Sequence, residues 1–171
     1  MTANAIAFTA PALSSSIRSY VALTKPRVIS LLLVTTVPAM VVAHGGWPST
    51  WLVIATLIGG SLSAGGANAI NCWYDRDIDA IMRRTRGRPV VTGAIEPWRA
   101  LTFGIGLGAF AFAFLWATTT LAAAVLALAA LLFYVFIYTI WLKRRTSQNI
   151  VVGGAAGAFP PMVGWAAVTG G

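Results

Sequence analysis

Long apolar runs, separated by short polar segments, organise almost the whole chain. Five of these runs are long enough to cross roughly 30 Å of hydrocarbon as helices. They lie at about 28–45, 50–71, 99–117, 120–142 and 150–168. The pattern predicts an all-α protein, a polytopic transmembrane helix bundle with five spans.

Two of the runs carry residues that shape a helix locally. Gly104, Gly106 and Gly108 in the third run allow a neighbouring helix to approach closely. The fifth run contains several glycines and the pair Pro160-Pro161, so we expect its helix to be broken or bent.

Composition agrees with a membrane protein. The 171 residues are 58% hydrophobic and only 9% charged, whereas soluble domains carry about 25% charged residues. A single cysteine excludes a disulfide scaffold, and the hydrophobic content excludes a disordered chain. Lys and Arg outnumber Asp and Glu by twelve to four, but nucleic-acid binders carry such charge on a soluble face. No nucleic acid is therefore expected as a partner.

All twelve Lys and Arg residues flank the apolar runs on one side of the predicted bundle. They cluster before the first run, after the second and after the fourth, whereas the connections at 44–49 and 117–119 contain none. Positive charge marks the cytoplasmic side of a membrane protein. We therefore predict a multi-pass protein of the inner (plasma) membrane of the cell, with a cytoplasmic N-terminus.

The segment before the first span, residues 1–27, is predicted to be cytoplasmic. Residues 1–17 lack the positive charge that starts a signal peptide, and a frayed tail fits residues 1–12 equally well. Further along, helical spacing favours a short interfacial helix. Its apolar stripe would consist of Leu13, Ile17, Tyr20, Val21 and Thr24. Residues 28–171 then form the transmembrane domain.

Polar residues suited to binding a metal lie at the end of the second span. Asn71, Asp75 and Asp79 are spaced by four residues, and four residues turn an α-helix by about 400°, so these side chains share one face. Two carboxylates and an amide oxygen form the kind of site that holds Mg²⁺ together with phosphates and waters. Asp77 points away from this face and is expected to pair with an arginine.

Basic residues follow this stripe of Asn71, Asp75 and Asp79 in the same loop. Arg83, Arg84, Arg86 and Arg88 come directly after it, and a guanidinium group matches the geometry of phosphate oxygens. The arginines alone would also fit a solvated loop that obeys the positive-inside rule. Together with the acids they favour a diphosphate site.

Several short motifs match a known family of membrane enzymes. Asn71, Asp75 and Asp79 fit the form N-x-x-x-D-x-x-x-D, and residues 84–89 fit R-T-x-x-R-P. Three further segments match at 23–28, 138–144 and 157–165. Together these features resemble the UbiA superfamily of membrane prenyltransferases, and within it the branch that acts on heme.

The resemblance implies a fold and a reaction. The family fold is a ring of nine helices with a second aspartate-rich motif in its second half. The chain is therefore expected to be about half of such a ring, incomplete at its C-terminal end and inactive alone. The implied reaction transfers a farnesyl group from farnesyl diphosphate to a vinyl group of heme B, giving heme O for haem-copper oxidase biogenesis. Further implied partners are the lipid bilayer and heme A synthase or oxidase assembly factors.

The same resemblance assigns roles to individual residues. Asn71, Asp75 and Asp79 would be catalytic and would hold Mg²⁺, which neutralises the diphosphate as a Lewis acid. Basic side chains would bind the diphosphate oxygens. These diphosphate-binding residues are Arg83, Arg84, Arg88, Lys143 and Arg144.

Two other functions are compatible with the same residues. A sister prenyltransferase would use the same aspartate motif on an aromatic or quinone precursor instead of heme, although segment 138–144 and the Pro160-Pro161 region favour heme. A five-span fragment would instead be inactive, or would serve as a binding or assembly subunit, because no Asp or Glu follows Glu96.

Overall fold

The computed structural model describes residues 13–171, and all the regular structure in that part of the chain is helical. Residues 1–12 of the predicted N-terminal segment lie outside the described residues. The α-helices are α1 (Leu13–Thr24), α2 (Pro26–His44), α3 (Thr50–Tyr74), α4 (Arg76–Ile81), α5 (Pro97–Thr118), α6 (Leu121–Leu132), α7 (Asn149–Gly154) and α8 (Phe159–Thr169).

Five helical stretches within the described residues are long and apolar enough to cross a membrane. They are Pro26–His44, Thr50–Tyr74, Pro97–Thr118, Leu121–Leu142 and Asn149–Thr169. The predicted five-span, all-α bundle is confirmed, with small shifts at the ends of the spans.

α1 and α2 meet at Lys25, whose backbone is left-handed with a φ of 55°. This conformation is uncommon outside glycine and turns the chain sharply, and Pro26 then starts α2 at a position where no N–H is needed. Leu23 is fully buried in a cluster with residues of α3 and α5, and the Tyr20 ring packs edge-on against Phe103. α1 is thus a helix as predicted, while its place at the membrane interface stays a prediction.

α3 and α5 approach each other closely through glycines. A Cβ on Gly66 would lie 2.7 Å from the carbonyl oxygen of Gly104 and 3.0 Å from the backbone nitrogen of Gly108. The predicted close contact is confirmed for Gly104 and Gly108. A Cβ on Gly106 would meet no atom of another described helix within 4 Å, so this glycine takes no part in it.

The fourth and fifth spans depart from regular α-helix. α6 continues into a π-helical stretch, Phe133–Leu142, and the N–H of Lys143 bonds five residues back to the carbonyl oxygen of Tyr138. In the fifth span, α7 and α8 are joined by a 3₁₀ turn at Ala155–Ala158, which confirms the predicted irregularity. The π-helical stretch was not predicted, and such stretches are frequent at functional sites.

The largest apolar core lies at the end of the bundle where the connections are short. Met40 of α2, Leu115 of α5 and Val163 of α8 are buried there together with alanines of α6. At the opposite end the ends of α3 and of the π-helical stretch come together with the start of α2. Asn71 and Asp75 meet their polar partners at that second end.

Candidate active site

Asn71, Asp75 and Asp79 form a buried stripe where α3 passes into α4. Although α3 ends at Tyr74 and α4 begins at Arg76, α-helical hydrogen bonds continue through the junction. The N–H of Asp75 bonds to the Asn71 carbonyl oxygen at 2.9 Å, and the N–H of Asp79 bonds to the Asp75 carbonyl oxygen at 2.8 Å. All three side chains are buried. The structure therefore has the predicted shared face.

Asp75 engages only one of its two carboxylate oxygens. Its Oδ2 accepts a hydrogen bond from Asn71 Nδ2 at 2.7 Å and forms an ion pair with Lys143 Nζ. Its Oδ1 is buried and has no hydrogen-bond partner among the described residues. Leaving a buried acceptor unpaired costs about 1–3 kcal/mol, so this oxygen is available for a ligand.

The Asn71 amide is hydrogen-bonded on both sides. Its Oδ1 accepts a hydrogen bond from Lys25 Nζ at 2.7 Å. Besides its bond to Asp75, its Nδ2 donates to Thr139 Oγ1 at 3.1 Å, and the Thr139 hydroxyl donates to the Tyr134 carbonyl oxygen at 2.9 Å. Lys25 and Thr139 are site residues that the spacing of polar residues does not single out, although both lie in segments that carry the family resemblance.

Lys25 reaches the stripe from the junction of α1 and α2. Burial lowers the pKa of its ammonium group from 10.5 to about 8, and the positive charges of Arg88 and Lys143 act in the same direction. The hydrogen bond to Asn71 and the nearby carboxylates partly offset the loss of hydration of the buried ammonium group. It adds a cation to the site from a helix distant in sequence.

Asp79 pairs with a single arginine of the loop that follows it. Its Oδ2 forms an ion pair with Arg88 Nη1, and the arginine side chain is 23% exposed. Thr85 holds the loop in place because its buried hydroxyl donates to the Asp79 carbonyl oxygen at 3.1 Å. Of the three loop arginines predicted to bind diphosphate, Arg88 is the one that contacts the stripe.

Asp77 lies away from the stripe, as predicted, and pairs with Arg144. Two hydrogen bonds of 2.7 and 2.8 Å join its carboxylate to the guanidinium, which also lies over the Tyr74 ring at 4.7 Å from its centre. These hydrogen bonds lower the pKa of Asp77 to about 2. The predicted pairing with an arginine is confirmed. The predicted role of Arg144 in binding diphosphate stays a prediction.

Arg83 and Arg84 project from the loop between α4 and α5. Both are exposed and form no hydrogen bond or ion pair with the described residues. Their predicted contact with diphosphate stays a prediction. Lys143 is placed differently, because it contacts Asp75 directly.

An apolar cavity of about 310 Å³ lies inside the bundle next to the stripe. Asn68 and Tyr134 line its polar end, and Asn68 lies one helical turn before Asn71. Most of the rest of its wall is apolar, with Leu32 of α2 and Phe159 of α8 among the lining residues. The site therefore combines a charged end with an apolar interior.

The donor set of the stripe fits a hard divalent cation. The free Asp75 Oδ1 and the Asp79 carboxylate are the oxygens that such an ion prefers. Residues 13–171 contain no group of three or more His, Cys, Asp or Glu side chains placed to bind one metal ion. With these two carboxylates as its ligands, a cation at the stripe would keep coordination positions for phosphate and water, as Mg²⁺ usually does.

These features define a class: a multi-pass membrane protein with a buried charged cluster close to an apolar cavity. Comparison with known protein families agrees with this class, because the UbiA prenyltransferase family matches residues 32–171. The chain belongs to this family.

Named relatives match nearly all of the chain. It is 60% identical over 153 residues to the protoheme IX farnesyltransferase of Clavibacter michiganensis and 53% identical over 158 residues to that of Frankia alni. It is 63% identical over 152 residues to protoheme IX farnesyltransferase 1 of Saccharopolyspora erythraea. These matches cover 89 to 92% of this chain and 49 to 55% of the relatives. The chain spans about half the length of the curated relatives it matches.

Proposed function

We propose that the protein transfers a farnesyl group from farnesyl diphosphate to a vinyl group of heme B, forming heme O. Membership of the UbiA family and the names of the relatives support a prenyl transfer to heme. In this reaction the bond between farnesyl C1 and the diphosphate oxygen breaks, and a carbon–carbon bond forms to the vinyl group. Water then adds its hydroxyl to the neighbouring carbon and releases a proton.

The observation that carries the proposal is a buried carboxylate oxygen of Asp75 that has no partner among the described residues, on the same helix as Asn68 in the wall of an apolar cavity. A prenyl diphosphate has the same division, with an anionic head on a long apolar chain. The cavity volume of about 310 Å³ lies in the range of small-molecule sites, about 300–1,000 Å³. The diphosphate would lie at the stripe and the farnesyl chain would extend between α2, α3 and α8.

We assign Mg²⁺ to the stripe as the cofactor. UbiA prenyltransferases generally use a divalent metal for their diphosphate substrates. Asp75 through Oδ1 and Asp79 would hold the ion, and Asn71 Oδ1 keeps one lone pair besides its bond to Lys25. When bound, Mg²⁺ supplies Lewis-acid neutralisation of the diphosphate charge.

The side chains around the stripe would bind the diphosphate and stabilise the allylic cation. Lys25, Lys143 and Arg88 bring three cations to the stripe, and these would bind the oxygens of the departing diphosphate. Arg83, Arg84 and Arg144 would add positive charge at the rim. The apolar wall excludes water from the allylic cation, and the Tyr134 ring at the cavity wall would stabilise that cation through its π face.

The five spans make this a multi-pass membrane protein. We propose that it lies in the plasma membrane, the inner membrane of the cell, with the stripe and the N-terminus on the cytoplasmic side. Reporter fusions at Thr92 and Gly171 should report opposite sides, with Thr92 cytoplasmic. The same side for both would contradict this topology. Heme A synthase or oxidase assembly factors would be the partners that receive heme O.

The direct test supplies membranes containing the full-length protein with farnesyl diphosphate, Mg²⁺ and one of two acceptors. Heme B should be converted to heme O, detected by chromatography and mass, and EDTA should stop the conversion. Prenylation of an aromatic acid with no reaction of heme would overturn the choice of acceptor. Failure with both acceptors would overturn the proposed transfer.

A further inference from the structure

We propose that Thr139 is a positioning residue, which fixes the orientation of the Asn71 amide and through it the geometry of Asp75. The inference rests on the proposed function, because it assigns a role in binding the diphosphate and its metal ion. Thr139 is fully buried in the π-helical stretch and contacts the stripe through Asn71. It carries no charge and offers the stripe only its hydroxyl oxygen.

The hydrogen bonds of Thr139 leave one arrangement for Asn71. The Thr139 hydroxyl has a single proton, which it donates to the Tyr134 carbonyl oxygen at 2.9 Å. Its Oγ1 can therefore only accept a hydrogen bond from the stripe, so the neighbouring group must be the Asn71 nitrogen, at 3.1 Å. The Asn71 oxygen then faces Lys25.

The opposite amide orientation would produce conflicts at every contact. The Asn71 oxygen would face the Asp75 carboxylate and the Thr139 oxygen, so acceptors would meet acceptors. The Asn71 nitrogen would face the Lys25 ammonium, so donors would meet donors. In the observed orientation Nδ2 holds Asp75 Oδ2, which leaves Oδ1 as the unpaired oxygen.

Thr139 differs from the other partners of this network because it is neutral. Lys25 and Lys143 are cations, which an arriving diphosphate would attract away from the stripe. Asp75 would share its charge with a metal ion. The hydroxyl of Thr139 has no such competitor, so it keeps the amide in place while the charged groups exchange partners.

The π-helical stretch explains how a threonine acquires this position. In regular helices of this protein, Thr56 and Thr118 bond back four residues, to Leu52 and Phe114. Thr139 instead bonds back five residues, as the wider π-helical turn requires. This places its Oγ1 within reach of Asn71, 68 residues earlier in the chain.

The test compares Thr139→Val, which keeps the shape and removes the hydroxyl, with Thr139→Ser, which keeps the hydroxyl. Thr118→Val is the matched control, because the Thr118 hydroxyl bonds only within its own helix, far from the stripe. All three variants are made in the full-length protein. Thermal unfolding in detergent checks folding, and Thr139→Ala replaces Thr139→Val if the latter is unfolded.

Two quantities are measured for each variant. The first is the Mg²⁺ concentration that gives half-maximal heme O formation. The second is the calorimetric affinity for inorganic diphosphate in the presence of Mg²⁺. We expect Thr139→Val to weaken both about tenfold, which corresponds to one lost hydrogen bond of about 1.4 kcal/mol. Thr139→Ser and Thr118→Val should stay within about twofold of the parent protein, since each keeps the contact in question.

The double variant Asn71→Ala/Thr139→Val tests whether Thr139 acts through Asn71. If it does, the second substitution adds nothing to the loss caused by Asn71→Ala. Additive losses, or unchanged affinity in folded Thr139→Val, would overturn the inference. Equal losses in Thr139→Val and Thr139→Ser would also overturn it. The affinity for inorganic diphosphate tests Thr139 even if the parent protein forms no heme O, in which case only the proposed reaction fails.

Discussion

Lys143→Met should destabilise the protein far more than the same substitution at the adjacent residue, Arg144→Met. Both cations lie at the end of the fourth span and both pair with a carboxylate of the same short segment. Lys143 pairs with Asp75, which is fully buried, whereas Arg144 pairs with Asp77, whose side chain is 59% exposed. Methionine keeps an unbranched apolar stem at either position, so each variant loses chiefly the charged group and its contacts.

The expected sizes follow from the burial of the two carboxylates. Removing one partner of a buried ion pair costs about 3–5 kcal/mol, because the other charge is left in a poorly solvated place. The Lys143 side chain is 23% exposed, so the lower value, about 3 kcal/mol, is expected. An exposed ion pair contributes about 0–1 kcal/mol. The two variants should therefore differ by at least about 2 kcal/mol.

Equilibrium unfolding in mixed micelles of SDS and a mild detergent measures this difference. EDTA is included so that no divalent cation substitutes for Lys143. Adding Asp75→Asn to Lys143→Met removes the unpaired charge and should restore most of the lost stability. Similar stabilities for Lys143→Met and Arg144→Met would refute the reasoning, and so would a double variant that is less stable than the single one.

Two further predictions concern the stripe and the packing of α3 against α5. Asp79→Ala should lower the rate of heme O formation at least about 100-fold, equivalent to about 2.7 kcal/mol. Asp77→Ala should lower this rate less than about fivefold, because Asp77 faces away from the stripe. Equal losses in the two variants would contradict the shared face of Asn71, Asp75 and Asp79. Gly104→Ala should lower the free energy of unfolding by about 1–3 kcal/mol, since its Cβ would lie 2.9 Å from the Gly66 carbonyl oxygen. Gly106→Ala should not lower it, and equal effects of the two glycine variants would contradict the packing.

The parts of the structure that depend on local sequence were predictable. The five spans follow from run length and hydropathy, and the shared face of Asn71, Asp75 and Asp79 follows from helical geometry alone. The three side chains still share this face across the junction of α3 and α4 at Asp75, because the backbone N–H groups of Asp75 and Asp79 keep their hydrogen bonds to carbonyl oxygens four residues earlier. The break in the fifth span was visible in its prolines and glycines.

The long-range partners of the stripe were not predictable in the same way. Lys25 and Thr139 contact Asn71 across 46 and 68 residues of chain. A sequence shows which residues are basic, but only packing decides which of them reach a given carboxylate. Thus Arg88 and Lys143 contact the stripe, while Arg83 and Arg84 remain exposed on the same end of the bundle. The local sequence of Phe133–Leu142 contains no pattern that predicts the π-helical stretch that places Thr139.

The stripe is better explained by ligand binding than by stability. A buried ion pair such as that of Asp75 and Lys143 contributes little net stability, because desolvation offsets the attraction, and apolar residues of similar volume serve as well. The unpaired Oδ1 of Asp75 adds a cost of about 1–3 kcal/mol. The bundle has a separate apolar core at its other end, around Met40, Leu115 and Val163, which does not depend on these charges. Local rules of folding are broken mainly at functional sites, so the buried carboxylates agree with the proposed binding of a cation and an anionic substrate.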